Sequence, residues 1–310
     1  MSMLMAAMLA ASPVATARSE PIGAGPLAGT LTRPAGRPRA TLLIIPGSGP
    51  TDRDGNNPLG VSAGSYRLLA EGLAAKGIAS VRSDKRGMFG SKAAGDPNKA
   101  NIALYAQDTA SWIAAARKAT GARCVWLAGH SEGGVVALAS AGQPGVCGVV
   151  LVTTPGRPLD VVIRAQIAAN PANAPIAVQA DTALTALKAG RHVDVTGMHP
   201  ALAQGLFNPK VQDFLIDSFR HDPAALAKAV TGPMLIVQGE HDLQVERGDA
   251  ELLAKAQPRA RLVVVPGMNH VLKLAPAERA ANMATYRDPS LPLAPGLVDA
   301  IAGFVTGAGK

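Results

Sequence analysis

Aromatic residues are scarce in this chain: its 310 residues hold two Trp, three Tyr and five Phe. A core must therefore be built mainly from Val, Leu, Ile and Ala, and there is little aromatic surface for stacking on nucleic-acid bases. Charge is also thin. Charged residues make up 17% and hydrophobic residues 48%, which excludes a disordered chain. The 30 Lys and Arg outnumber the 22 Asp and Glu, for a net charge of +8. The basic residues are scattered, however. Their densest group, Arg33, Arg37 and Arg39, flanks two prolines without interleaved aromatics and reads as a solvated loop. No nucleic-acid partner is expected. Long apolar runs are missing too. The apolar stretch at residues 3–17 (MLMAAMLAASPVATA) falls short of the ~18–20 residues a membrane span needs, and no other stretch reaches that length. It ends in Ala15-Thr16-Ala17, an A-x-A pattern before Arg18. Residues 1–17 therefore read as a signal peptide, although the positive n-region is lacking. The expected location is periplasmic or secreted, with cytoplasmic as the alternative, and no stable membrane span is expected.

No repeat or low-complexity tract interrupts the chain. What recurs is a short β-branched apolar run followed by a helical stretch. Residues 41–46 (TLLIIP), 78–82 (IASVR), 124–128 (CVWLA), 146–152 (VCGVVLV), 233–237 (PMLIV) and 262–265 (LVVV) read as strands. Residues 65–76, 102–120, 132–141, 249–256 and 297–304 read as helices. Strands that are apolar throughout and alternate with helices predict a doubly wound, mostly parallel α/β sheet covered on both faces. The segment around Gly29–Thr32 is expected to supply an antiparallel edge hairpin. Residues 156–231 break the alternation and are too long for a connecting loop. They predict a helical cap inserted between two core segments, 18–155 and 232–310, over the sheet edge where such folds bind ligands.

The motif with the most chemistry is Gly129-His130-Ser131-Glu132-Gly133-Gly134, at the passage from a strand into a helix. A sharp turn there exposes the Ser131 hydroxyl, and the glycines stand where a Cβ would collide with neighbouring chain. The first amides of the next helix point toward the same place. A nucleophilic serine needs a base, and the base needs an orienting acid. Of the five histidines after Ser131, only His270 follows a late strand at its C-terminal end. His192, His199 and His221 lie in the cap, and His241 adjoins the acid itself. Asp242, after strand 233–237, is the expected acid, with Glu240 as runner-up and Asp249 as a weaker candidate. The early loop Gly47-Ser48-Gly49-Pro50 should supply one oxyanion-binding amide, from Ser48 or alternatively Gly49. The amide of Glu132 should supply the other.

Ser131, Asp242 and His270 in that order resemble the α/β-hydrolase superfamily. The loop Gly47-Ser48-Gly49-Pro50-Thr51-Asp52-Arg53-Asp54-Gly55-Asn56 is similar to that of a group of bacterial esterases, and Ser83-Asp84-Lys85-Arg86-Gly87 resembles a turn common in the superfamily. The resemblance implies an esterase for short or medium acyl chains acting through an acyl-enzyme. It leaves peptidase or amidase, thioesterase and acyltransferase activity as alternatives. It calls for no metal and no organic cofactor, only a small-molecule ester substrate, and it says nothing of oligomeric state. In this fold the strands that begin at Cys124 and near Cys147 are parallel neighbours, so a disulfide between these residues is expected. Two other motif readings fail. Residues 52–56 look like a calcium loop, but Asn57 and Ala63 stand where Gly and Glu are required. Gly47-Ser48-Gly49 lacks the third glycine of a dinucleotide loop. Arg53 and Asp54 are instead expected to brace the early loop.

Overall fold

In a computed structural model, residues 17–307 are described. The expected signal peptide lies outside the described residues apart from Ala17, and the first strand begins at Arg18. The strands are β1 (Arg18–Ala24), β2 (Leu27–Arg33), β3 (Ala40–Ile45), β4 (Ile78–Ser83), β5 (Val125–His130), β6 (Val146–Val152), β7 (Met234–Gly239) and β8 (Arg261–Val265). They form one sheet in the order β1-β2-β4-β3-β5-β6-β7-β8. β1 and β2 make the expected antiparallel edge hairpin, and every pairing from β4 to β8 is parallel. All six residues of β4 and of β7 are buried, as apolar strands with both faces covered must be.

The helices of the sheet layers are α1 (Ser65–Ala75), α2 (Ile102–Thr120) and α3 (Glu132–Ser140). Local chemistry sets their ends. The Asn101 side chain accepts from the Leu104 amide at 2.8 Å and caps α2, which stops at Gly121 with φ 71°; Ala at such an N-cap costs ~1 kcal/mol. Between β6 and β7 run α4 (Leu159–Ala168), α5 (Ala177–Lys188), α6 (Gln212–Ser218) and α7 (Pro223–Ala229). This segment has its own apolar core, including Leu184, Leu187, Leu202, Phe207, Leu215 and Phe219. Ala227 and Val230, by contrast, pack into the core of the sheet. The chain closes with α8 (Arg247–Ala256), α9 (Arg279–Ala284) and α10 (Leu297–Gly307).

Cys124, just before β5, is bridged to Cys147 in β6, with Cα atoms 5.2 Å apart. The bridge ties the two strands at the end opposite Ser131, and closing a loop of this size constrains the unfolded chain by ~3 kcal/mol. No helix among the described residues is long and apolar enough to cross a membrane.

Candidate active site

Because β3 through β8 run parallel, their C-terminal ends share one edge. The chain leaves β3 into residues 46–57, β4 into the turn 84–88, β5 at Ser131, β7 at residues 240–246 and β8 at residues 266–275. Every residue named from the sequence as part of the site lies on this edge.

Ser131 occupies the turn between β5 and α3 with φ 53° and ψ −123°, a conformation that non-glycine residues avoid and that serves to present a side chain. The turn closes because two glycines let backbones touch. A Cβ on Gly129 would stand 2.2 Å from the Gly133 carbonyl oxygen, and one on Gly133 would stand 2.2 Å from that of Ile45. The Ser131 amide donates to the Val152 carbonyl at 2.9 Å, which holds the turn against β6.

His270 sits on the loop after β8 and is 5% exposed. Its Nδ1 lies 2.8 Å from Asp242 Oδ2. The other oxygen of Asp242 accepts the amides of Gln244 at 2.8 Å and Val245 at 3.0 Å. A carboxylate fixed this way holds the proton of a neutral His270 on Nδ1 and leaves Nε2 free to accept one. The other two acids considered for this position are engaged elsewhere. Glu240 accepts the Gly267 amide at 2.9 Å. Asp249 accepts the Gly156 and Arg157 amides and pairs with the Arg157 guanidinium at 2.7 Å, anchoring the start of the helical insertion. His241 Nδ1 faces the Ala275 carbonyl, while His192 and His221 lie beside Asp213 and Asp217 within the insertion.

The early loop is braced as expected. The Arg53 amide and Nε bond Asp84 at 2.9 and 3.1 Å, and Asp54 pairs with Arg82. Asp52 Oδ1 accepts the amides of Asp54 and Asn56, so the loop closes on itself. Among the described residues, the amides of Ser48, Gly49 and Glu132 donate to no protein group. Free donors beside a half-buried serine at a sheet edge can receive negative charge that develops on a carbonyl oxygen.

Three side chains, two of them inside motifs already named, belong to this site in roles that the motifs do not disclose. Tyr66 on α1 accepts the Gly47 amide at 3.0 Å, and its hydroxyl lies 2.8 Å from His130 Nδ1. The other ring nitrogen, Nε2, faces the His270 carbonyl, which can only accept, so Nδ1 of the neutral ring is unprotonated and accepts the hydroxyl proton. His130 is then protonated on Nε2, which donates to the His270 carbonyl at 2.8 Å. Lys85, only 7% exposed, donates to the Gly47 carbonyl at 3.0 Å and to Glu132 Oε1 at 2.9 Å. Burial alone would lower the Lys85 pKa, but the Glu132 carboxylate and Tyr105 outweigh it and raise it. Burial raises that of Tyr66. The sequence signal for Lys85 is its place in the charged turn at residues 83–87, which lies at the end of a fully buried strand and resembles a turn common in the superfamily.

Burial, and after it the neighbouring His270 ring, push the His130 pKa down to about 3. His130 is therefore neutral when folded and titrates near 6.5 when unfolded. Between those values the unfolded chain binds more protons, so stability is complete above pH 6.5 and falls as pH falls. Between pH 7 and pH 5 this ring should cost about 1–2 kcal/mol, the lower figure allowing for its partly exposed edge. Urea unfolding of wild type and His130→Gln at both pH values tests this. The wild type should lose more than the variant, and equal losses would exclude His130 as the source.

The family described as serine aminopeptidase, S33, matches residues 58–274. The chain belongs to this family. The sheet is that of an α/β-hydrolase, and the match spans the elbow, Asp242 and His270. A curated relative, esterase EstD of Thermotoga maritima, is 26% identical over 254 residues, 79% of this chain. The chain spans 58% of the length of that relative. Among solved structures, Est1E from Butyrivibrio proteoclasticus with ferulic acid bound is similar, with a TM-score of 0.55 and 14% identity over 93% of this chain and 96% of that one. A proline iminopeptidase of Mycobacterium smegmatis gives 0.52 and 20% identity over 82% and 92%. At these identities the two structures establish a shared fold.

Proposed function

We propose that this protein is a serine hydrolase that cleaves carboxylic esters of short to medium acyl chains. The observation that carries the proposal is the Asp242–His270 bond of 2.8 Å, on the sheet edge where the glycine-lined turn presents Ser131. In the proposed reaction, His270 Nε2 takes the Ser131 proton while Oγ attacks the ester carbonyl carbon. The amides of Ser48 and Glu132 bond the resulting oxyanion. The tetrahedral species collapses, His270 protonates the departing alcohol, and an acyl-enzyme remains. His270 then activates a water that releases the acid and restores the hydroxyl.

The likeness to an esterase over 79% of the chain supports ester chemistry, as does the oxyanion loop Gly47–Asn56, which resembles that of bacterial esterases. The Cys124–Cys147 bridge supports export to an oxidising compartment.

A panel of p-nitrophenyl esters from C2 to C16, with proline and leucine p-nitroanilides alongside, tests the reading. We expect kcat/KM to peak at C8 or shorter, with the anilides at least about 100-fold below the best ester. Faster turnover of an aminoacyl anilide would replace it with the peptidase activity in the family's description.

A further inference from the structure

The Gly47–Ser48 peptide carries the proposed oxyanion donor, and both polar atoms of Gly47 are held by buried side chains. Its amide donates to Tyr66 Oη at 3.0 Å, and its carbonyl accepts from Lys85 Nζ at 3.0 Å. Tyr66 is 3% and Lys85 7% exposed, so water does not compete freely for either bond. A trans peptide directs its C=O and its N–H to opposite sides, and the described chain has no cis peptide bonds. Lys85 pulls the Gly47 carbonyl inward, so the Ser48 N–H must face the other way. Gly47 itself stands against the elbow, where a Cβ on it would lie 3.3 Å from Ser131 Cβ, so the amide that this peptide carries lies beside the serine.

Each arm also reaches a second part of the machinery. Lys85 bonds the side chain of Glu132, whose amide is the other proposed donor. One ammonium thus ties the two oxyanion amides, from segments 84 residues apart, at a fixed separation. Tyr66 continues through His130 to the carbonyl of His270. The oxyanion loop and the backbone of the base are thereby referred to the same hydroxyl.

We propose that Lys85 and Tyr66 are positioning residues that clamp Gly47 and thereby aim the Ser48 amide at the carbonyl oxygen of a substrate bound over Ser131. The inference rests on the proposed role of Ser131. Lys85 has no contact with the reacting atoms and acts through the peptide it holds. A misaimed donor weakens the transition state and leaves ground-state binding nearly untouched.

The test compares Lys85→Met combined with Glu132→Gln, and separately Tyr66→Phe, with wild type. The paired substitution avoids a buried carboxylate without its cation. Circular dichroism reports folding. The readouts are kcat, KM and the inhibition constant of a trifluoromethyl ketone that mimics the tetrahedral adduct. For the paired variant we expect kcat to fall about 100-fold, KM to stay within about twofold, and inhibitor binding to weaken in proportion to kcat. Tyr66→Phe should lose about tenfold in the same pattern. Folded paired variant or Tyr66→Phe with kcat within threefold of wild type overturns the clamp, as does a loss confined to KM. If the paired variant does not fold, Tyr66→Phe decides alone. Labelling of wild-type Ser131 by a fluorophosphonate separates the two levels. If Ser131 is not labelled, the nucleophile reading fails; if it is labelled and the variants behave as wild type, only the clamp fails.

Discussion

Alanine in place of Ser131 is expected to reduce hydrolysis of p-nitrophenyl acetate by about a million-fold while the protein stays folded. The magnitude follows from the chemistry. Without Oγ no acyl-enzyme can form, and what remains is the modest stabilisation that the free amides give to water attack. Retention of the fold follows from the structure. The Ser131 hydroxyl makes no hydrogen bond to protein among the described residues. The turn is held by backbone bonds instead: Ser131 N–H to Val152, and Gly134 N–H to the Ser131 carbonyl, both 2.9 Å. Alanine keeps the Cβ already accommodated at φ 53°, so it adds no strain. An unchanged melting curve with turnover lost is the expected pair of results. A variant that stays folded and hydrolyses the ester within tenfold of wild type would remove Ser131 from the reaction.

That much of the site was legible because its parts are local. An elbow needs glycine at fixed offsets from the serine, where a Cβ would meet backbone, and strands buried on both faces must be apolar throughout. The order of strands and helices then brings Ser131, Asp242 and His270 to one edge with no further information. What was not legible depends on pairs far apart in the chain. Lys85 meets Gly47 and Glu132 across 38 and 47 residues, and His130 meets the His270 carbonyl across 140. No spacing rule encodes such contacts. Glu132 illustrates the limit: the sequence points to its backbone amide as the first of a helix, whereas its buried side chain matters as the partner of Lys85. Which residues form β1, the first arm of the expected edge hairpin, was not legible for a different reason. Its residues are almost all exposed and include Pro21, so the edge strand carries no apolar alternation to read. The bridge between Cys124 and Cys147 needed the fold first, because only the adjacency of β5 and β6 brings the two residues together.

Asp242→Asn is the sharpest test of the base. It should reduce kcat by about 10⁴-fold without unfolding the protein. The side chain is 0% exposed and nearly isosteric with its replacement. Its orientation is set in advance, since one oxygen receives the amides of Gln244 and Val245. Asparagine must keep its carbonyl oxygen on those two donors, and its NH2 then faces His270 Nδ1. A ring nitrogen that met a carboxylate at 2.8 Å now meets a donor and must accept. The His270 proton is driven to Nε2, the atom that has to receive the Ser131 proton, and the imidazolium formed in the transition state loses its counter-charge. The loss should therefore appear in kcat, and KM should hardly move, because Asp242 binds no substrate. Glu240→Gln is the matched control. Among the described residues Glu240 accepts only the Gly267 amide, a bond that a glutamine carbonyl retains, so its activity should stay within about threefold of wild type. If the two variants were equally impaired, the acid would be misassigned. If Asp242→Asn were nearly as active as wild type, His270 would be held in its working tautomer by some other group, and its bond to Asp242 would be structural.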